Sequence, residues 1–143
     1  SASLPLASTP VMLDGQPYLD GGCADAIPWK RALAVGCDRV VVVLTRERSY
    51  RKEPEQMMPL FRRVYRKYPA FVEDLRTRAE RYNESRKELF QMEREGRILV
   101  IAPEDTRGFS RTERDRKKIL ALWQDGFFAG RRAAEAAWHG EPR

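Results

Sequence analysis

The sequence predicts an α/β fold, a short parallel sheet with a β-hairpin and a helical carboxyl-terminal extension, and three observations carry that prediction. Two brief apolar runs, Val11-Met12-Leu13 and Pro17-Tyr18-Leu19, flank Asp14-Gly15. That pair tolerates the positive φ of a tight hairpin turn. Residues 40–44, four valines and a leucine, and residues 98–102 are apolar without alternation, as strands covered on both faces are. Between and after these runs, apolar residues recur at helical spacing through highly charged segments.

In chain order, residues 1–10 are small, polar and proline-bearing, which predicts an irregular lead-in. The hairpin's second strand delivers Asp20 at its end, followed at once by Gly21-Gly22. Two glycines leave no Cβ beside the carboxylate, so the chain can bend there and another group can come close. Asp25 is placed to serve the helix that Pro28 opens, and Gly36 is placed to end that helix. Strand, short helix and valine strand then predict a βαβ unit. The valine strand is expected in the interior of a parallel sheet, with the charged loop 46–53 leaving the sheet edge where Asp20 lies.

Pro54 and Pro59 precede a short helix carrying Leu60, Phe61, Val64, Tyr65 and Tyr68. Pro69 starts a longer one, striped by Phe71, Val72, Leu75, Ala79, Tyr82, Leu89 and Phe90 and ended by Gly96. On its polar side Asp74–Arg78 and Arg76–Glu80 stand at ion-pair spacing. Ser110 and Glu113 have the spacing of a capping box for the final helix, whose apolar side holds Ile119, Leu120, Trp123, Phe127 and Ala134 and which extends toward Trp138. Gly126 and Gly130 within it predict close packing, at a cost of about 1 kcal/mol each relative to alanine.

Composition narrows the function classes. The chain has 143 residues, 27 Lys plus Arg against 21 Asp plus Glu, and a net charge of +6. Such a balance favours anionic surfaces, whether phospholipid headgroups or nucleic acid. Cys23 and Cys37 have the spacing of neither a metal knuckle nor a disulfide framework, which predicts two reduced thiols in a cytoplasmic protein. No apolar run is long enough to span a bilayer, and no signal peptide is visible. The chain opens Ser1-Ala2-Ser3 without methionine and enters the hairpin almost at once, which predicts a piece of a longer polypeptide.

The ordered run Ser3-Leu4-Pro5, the hairpin, Tyr18-Leu19-Asp20-Gly21-Gly22, Asp25-Ala26-Ile27-Pro28, Asp38-Arg39 and 40–45 resembles the carboxyl-terminal part of the bacterial patatin-like phospholipase family. The likeness continues through Tyr65-Arg66-Lys67-Tyr68-Pro69 and Arg81-Tyr82-Asn83 to the last helix. In that family the Asp-Gly-Gly motif carries the acid of a Ser–Asp dyad. The resemblance therefore implies a partial three-layer patatin-like fold, with residues 1–50 ending the catalytic core and 51–143 forming a helical extension with one strand. It implies Asp20 as general base, Gly21 and Gly22 as the turn that aims it, and no metal or cofactor. The substrate class it implies is a lipid or other acyl ester. The family's glycine-rich oxyanion loop and Gly-x-Ser-x-Gly elbow do not occur in these residues, so the chain alone is expected to be inactive. The only histidine, His139, lies in a Trp-His-Gly-Glu-Pro tail and is not expected to be catalytic.

Other readings compete with this one. Asp14, at the hairpin turn, is a second acid whose structural role explains it fully. Arg46, Arg48, Arg51 and Lys52, with Arg62, Arg63, Arg66 and Lys67 beyond, could meet lipid phosphates at an anionic membrane surface, or could be ordinary solvated charge. Their interleaving with Tyr50, Tyr65 and Tyr68 also suits a nucleic-acid-binding module, although those aromatics fall at core spacing with Phe61 and Val64. A non-catalytic interaction domain is a further alternative, and so is association with an upstream half or a second copy at an exposed sheet edge.

Overall fold

The computed structural model describes residues 3–110 and 113–138. The opening Ser1-Ala2 and His139 lie outside the described residues. The architecture is mixed α/β: two small sheets, four helices and a 3-10 turn. The chain divides into two compact units, each assembled from two stretches. One combines residues up to Ala32 with Arg51–Leu89, and the other combines Leu33–Tyr50 with the chain from Phe90 onward.

The first unit begins with the expected hairpin. Strands β1 (Val11–Leu13) and β2 (Gln16–Tyr18) pair antiparallel with Val11 opposite Tyr18 and Leu13 opposite Gln16. Asp14 at φ 49° and Gly15 at φ 75° form the two-residue turn between them, which is the left-handed geometry that twisted strands require. The lead-in is irregular, as expected, but held by backbone bonds. The Leu4 carbonyl accepts from the N–H groups of Ala7 and Ser8, and the Ser3 carbonyl accepts from the Asp20 N–H at 2.9 Å. Helix α1 (Trp29–Ala34) follows Pro28, with Asp25 accepting from the Ile27 N–H just before it.

Helices α2 (Met58–Val64) and α3 (Pro69–Arg94), the latter as far as Leu89, complete this unit, with Pro59 in the first turn of α2 and Pro69 at the start of α3. The core forms where the stripe of α3 meets α2 and the turn after β2. Cys23, Phe61, Tyr65 and Leu75 are buried, with Leu19, Met58, Phe71 and Val72 packed around them. Spacing of three and four residues along α3 thus decides which face turns inward. Neither ion pair expected on α3 forms. Arg76 instead grips both oxygens of Glu73 one turn earlier, Arg81 pairs with Asp74, and Arg78 donates to a backbone carbonyl of the β2–α1 connection. A carbonyl fixed in place competes well with an exposed carboxylate, because exposed pairs contribute little.

In the second unit β3 (Val41–Val43) pairs parallel with β4 (Leu99–Ile101), register Val42 opposite Val100. This corrects the βαβ expectation: β2 and β3 belong to different sheets, and the parallel partner of β3 comes after α2 and α3. It also corrects the interior position. Val40, Val42 and Leu44 are buried with Ile98 and Val100, but Val41 and Val43 are 55% and 68% exposed. Strand alternation sends these two to the opposite face, and among the described residues β4 is the sheet neighbour that β3 has.

Gly36 and Gly96 end α1 and α3 at φ 84° and 71°. At Gly96 the N–H groups of Gly96 and Arg97 return to the carbonyls of Glu93 and Met92, closing the helix end. Helix α4 (Arg116–Trp138) packs on β4. The Ser110 N–H donates to the Glu113 carboxylate, one of the two bonds of the expected capping box, but the helix itself starts later. Asp115 takes the cap, accepting from the N–H groups of Lys117 and Lys118, and Glu113 accepts from those of Arg114 and Asp115. Among the described residues a built Cβ at Gly126 or Gly130 meets nothing within 4 Å, so they show no close packing at these glycines.

The loops that leave the carboxyl ends of β3 and β4 are tied by a buried acid. Glu47 accepts from both the N–H and the hydroxyl of Thr106, and Arg46 donates to the same hydroxyl. The bond from the Thr106 hydroxyl holds the Glu47 carboxyl below its ordinary value of 4.5. A depressed acid contributes stability above its unfolded pKa and loses it as pH falls through the folded one. Denaturant melts should therefore show stability constant from neutrality to about pH 5.5 and declining below 4.5. Glu47→Gln should lower stability at neutral pH by about 1–2 kcal/mol and flatten part of that decline.

Candidate functional site

Asp20 stands two residues beyond β2, at the head of the 3-10 turn Gly21–Cys23. Three bonds hold it. Its N–H donates to Ser3, its carbonyl accepts from the Cys23 N–H at 3.0 Å, and its Oδ1 accepts from the Gly22 N–H at 2.9 Å. The carboxylate is thereby fixed in one orientation with Oδ2 left over for other chemistry. The same bond is what a capping aspartate makes, so geometry alone serves both roles.

Gly21 and Gly22 are the first two residues of that 3-10 turn. Neither lies at positive φ, and the turn is one that other residues could adopt. Gly21 faces open space, whereas a Cβ at Gly22 would sit 3.4 Å from Asp20 Oδ1 and 3.7 Å from Arg78 Nη2, ordinary contact distances. Sharp bending therefore does not explain them, while access past Gly21 to the turn remains.

The turn is anchored from α3. Arg78 Nε donates to the Gly22 carbonyl at 2.8 Å, and Arg81 Nη2 donates to the Cys23 carbonyl at 3.3 Å while also gripping Asp74. These two arginines are the residues that sequence reading missed. Their partners are carbonyls 56 and 58 residues away, and no local spacing signals such a bond.

On the other side of the turn lies an apolar cavity of about 250 Å³, with Leu19, Cys23, Tyr65, Tyr68 and Phe71 among its walls and Asp20 and Gly21 at its lining. Tyr65 and Phe71 meet edge to face at 5.0 Å. The Tyr65 hydroxyl accepts from the N–H of Leu6, whose φ of 64° is unusual for a bulky residue. Burial pushes the Cys23 thiol up from its ordinary value, with Arg78 opposing, and Cys23 forms part of the apolar wall. Asp14 stays at the hairpin turn, as expected.

Three of the basic residues have partners within the fold. Arg48 grips both oxygens of Glu93 at 2.6 Å, which raises its own pKa, and stacks over Phe90. Arg46 lies over Tyr50, and Lys52 over Tyr82. Arg51, Arg62, Arg63, Arg66 and Lys67 are exposed. Among the described residues no group of three His, Cys, Asp or Glu side chains is placed to hold a metal ion, and no helix is long and apolar enough to cross a membrane.

Removing the Arg78 anchor tests this construction. Arg78→Ala should cost about 1–2 kcal/mol in unfolding free energy, the loss of one charge-assisted bond to a half-buried carbonyl. Arg78→Lys should recover little of it, since a lysine ammonium cannot reproduce the Nε geometry. Chemical denaturation of both variants makes the measurement.

Residues 68–137 are similar to a family described as a domain of unknown function, DUF6363. The match takes in α3, β4 and nearly all of α4, and leaves the hairpin and Asp20 outside. The comparison with curated proteins finds no match.

Proposed function

We propose that this chain supplies the general base, Asp20, of a patatin-like serine acyl hydrolase that cleaves lipid or other acyl esters through a Ser–Asp dyad. The observation that carries the reading is the placement of Asp20: one carboxylate oxygen immobilised by the Gly22 N–H, at the lining of an apolar cavity. The sequence resemblance in the Asp-Gly-Gly segment supports it independently. In this reading Oδ2 of Asp20 takes the proton of a serine hydroxyl as that oxygen attacks the ester carbonyl, and the cavity receives apolar substrate. The proton then passes to the leaving alcohol; a water deprotonated by the same carboxylate attacks the acyl-serine carbonyl, and that proton returns to the serine oxygen as the acid leaves. The serine and the oxyanion donors come from outside these 143 residues.

The reading requires a polypeptide in which this segment is joined to a Gly-x-Ser-x-Gly elbow. In it, Asp20→Asn should lower hydrolysis of a p-nitrophenyl ester by at least about 1,000-fold, while circular dichroism and melting stay unchanged because asparagine also caps. The 143-residue chain by itself should show no turnover above background. Full activity of Asp20→Asn would return the residue to a purely structural role.

A second reading, a non-catalytic interaction module, is favoured by one specific observation: the strongest apolar face of α4 is exposed. Nucleic acid is the poorer partner for such a module. Arg46, Arg48 and Lys52 are engaged with neighbours inside the fold, and Tyr65 is buried in the core.

A further inference from the structure

The cavity beside Asp20 is built from two separate stretches of the chain. Leu19 and Cys23 line it from the segment that carries Asp20, and Tyr65, Tyr68 and Phe71 line it from the corner between α2 and α3. Both stretches belong to the first compact unit. The corner is a fixed wall. The Tyr68 N–H donates to the Tyr65 carbonyl at 2.8 Å, and the Tyr65 ring packs on both Phe61 and Phe71. Tyr68 and Phe71 also stand at the start of the segment 68–137 that is similar to DUF6363, so the first residues of that segment complete a cavity whose acid lies well outside it.

The lining selects its occupant by chemistry and by size. Asp20 is the one charged residue among the described residues that line it, and carbon supplies most of the rest. A site of this composition takes an apolar ligand, oriented by a small number of polar groups. For size, an apolar cavity of about 150 Å³ takes benzene, which has six carbons. By that measure the cavity of about 250 Å³ takes on the order of ten carbons. An acyl chain of that length is filled out by the cavity, and further methylenes find no wall to bury against.

We propose that this cavity binds the acyl chain of the substrate and that Tyr68 and Phe71 limit the length it accommodates to about ten carbons. Naming the bound chain an acyl group rests on the reading of Asp20 as general base; the binding of an alkyl chain of limited length does not.

Titration of the 143-residue chain with 1-alkanols of four to twelve carbons, followed by NMR, tests the cavity without any turnover. Alkanols are neutral, so they avoid the repulsion that a fatty-acid carboxylate would meet at Asp20. The amides of Leu19, Cys23 and Phe71 should shift, and the dissociation constant should fall about threefold to fourfold per added methylene. The gain should level off at about ten carbons. Tyr68→Ala, at a half-exposed position, should weaken 1-decanol binding at least about fivefold. Phe71→Ala should move the levelling point to longer chains, and Tyr68→Ala decides the matter if the Phe71 variant does not fold. No shift at these amides overturns the proposal, as does affinity that keeps rising past ten carbons or 1-decanol binding indifferent to Tyr68→Ala. A response confined to the exposed apolar residues of α4 overturns it too. These results are separable from the test of the base. Alkanol binding together with a fully active Asp20→Asn would remove the hydrolase reading and keep the alkyl site, whereas no binding together with an inactive Asp20→Asn would do the reverse.

Discussion

The hydrogen bonds from Arg78 and Arg81 to the carbonyls of Gly22 and Cys23 tie the segment carrying Asp20 to the long helix α3. A three-residue hairpin strand and a 3-10 turn of three residues bury too little to hold themselves in place. The turn is therefore borrowed structure, held by its bonds to α3. Everything argued for Asp20 follows from this. The Gly22 N–H can orient the carboxylate only while Gly22 is held. The cavity beside Asp20 keeps its shape only while Cys23 remains packed on Phe61, Tyr65 and Leu75.

The second unit solves a similar problem differently. Two strands of three residues make a sheet with one apolar face buried and Val41 and Val43 on the other. Its loops are joined by Glu47, whose carboxylate collects the N–H and hydroxyl of Thr106, with Arg46 on the same hydroxyl. Next to it Asp105 is held down to about 2 by the guanidinium of Arg107. Charged hydrogen bonds at the ends of short elements thus replace the extended ladders a larger sheet would provide. Helix α4 packs on β4 and leaves its aromatic side exposed.

What could be read from the sequence was local. Asp14-Gly15 identified a two-residue turn because few residues accept positive φ, and Gly36 and Gly96 marked helix ends for the same reason. The stripe from Phe71 to Leu89 announced the inward face of α3 through periodicity alone. What could not be read was non-local. Four valines in a row say that both faces of a strand are apolar, not what covers them, so the interior position failed. Strand pairing failed likewise, since β3 found its partner after two intervening helices. Arg78 was assigned to Asp74 by spacing, but a carbonyl 56 residues away took it. Helix α4 starts at Arg116, beyond Glu113, and Asp115 accepts from its first N–H groups. The position of Asp20 was legible; the arginines that hold it were not.

Amide hydrogen exchange followed by NMR at Gly22 tests the central claim most directly, namely that the Asp20 carboxylate is held in one orientation by a turn anchored on α3. With the Asp20 Oδ1 bond in place, the Gly22 N–H should exchange well below the rate of an unprotected glycine. It should speed up in Asp20→Ala. Exchange at the unprotected rate in the unaltered protein, or a rate indifferent to the loss of the carboxylate, would contradict the account.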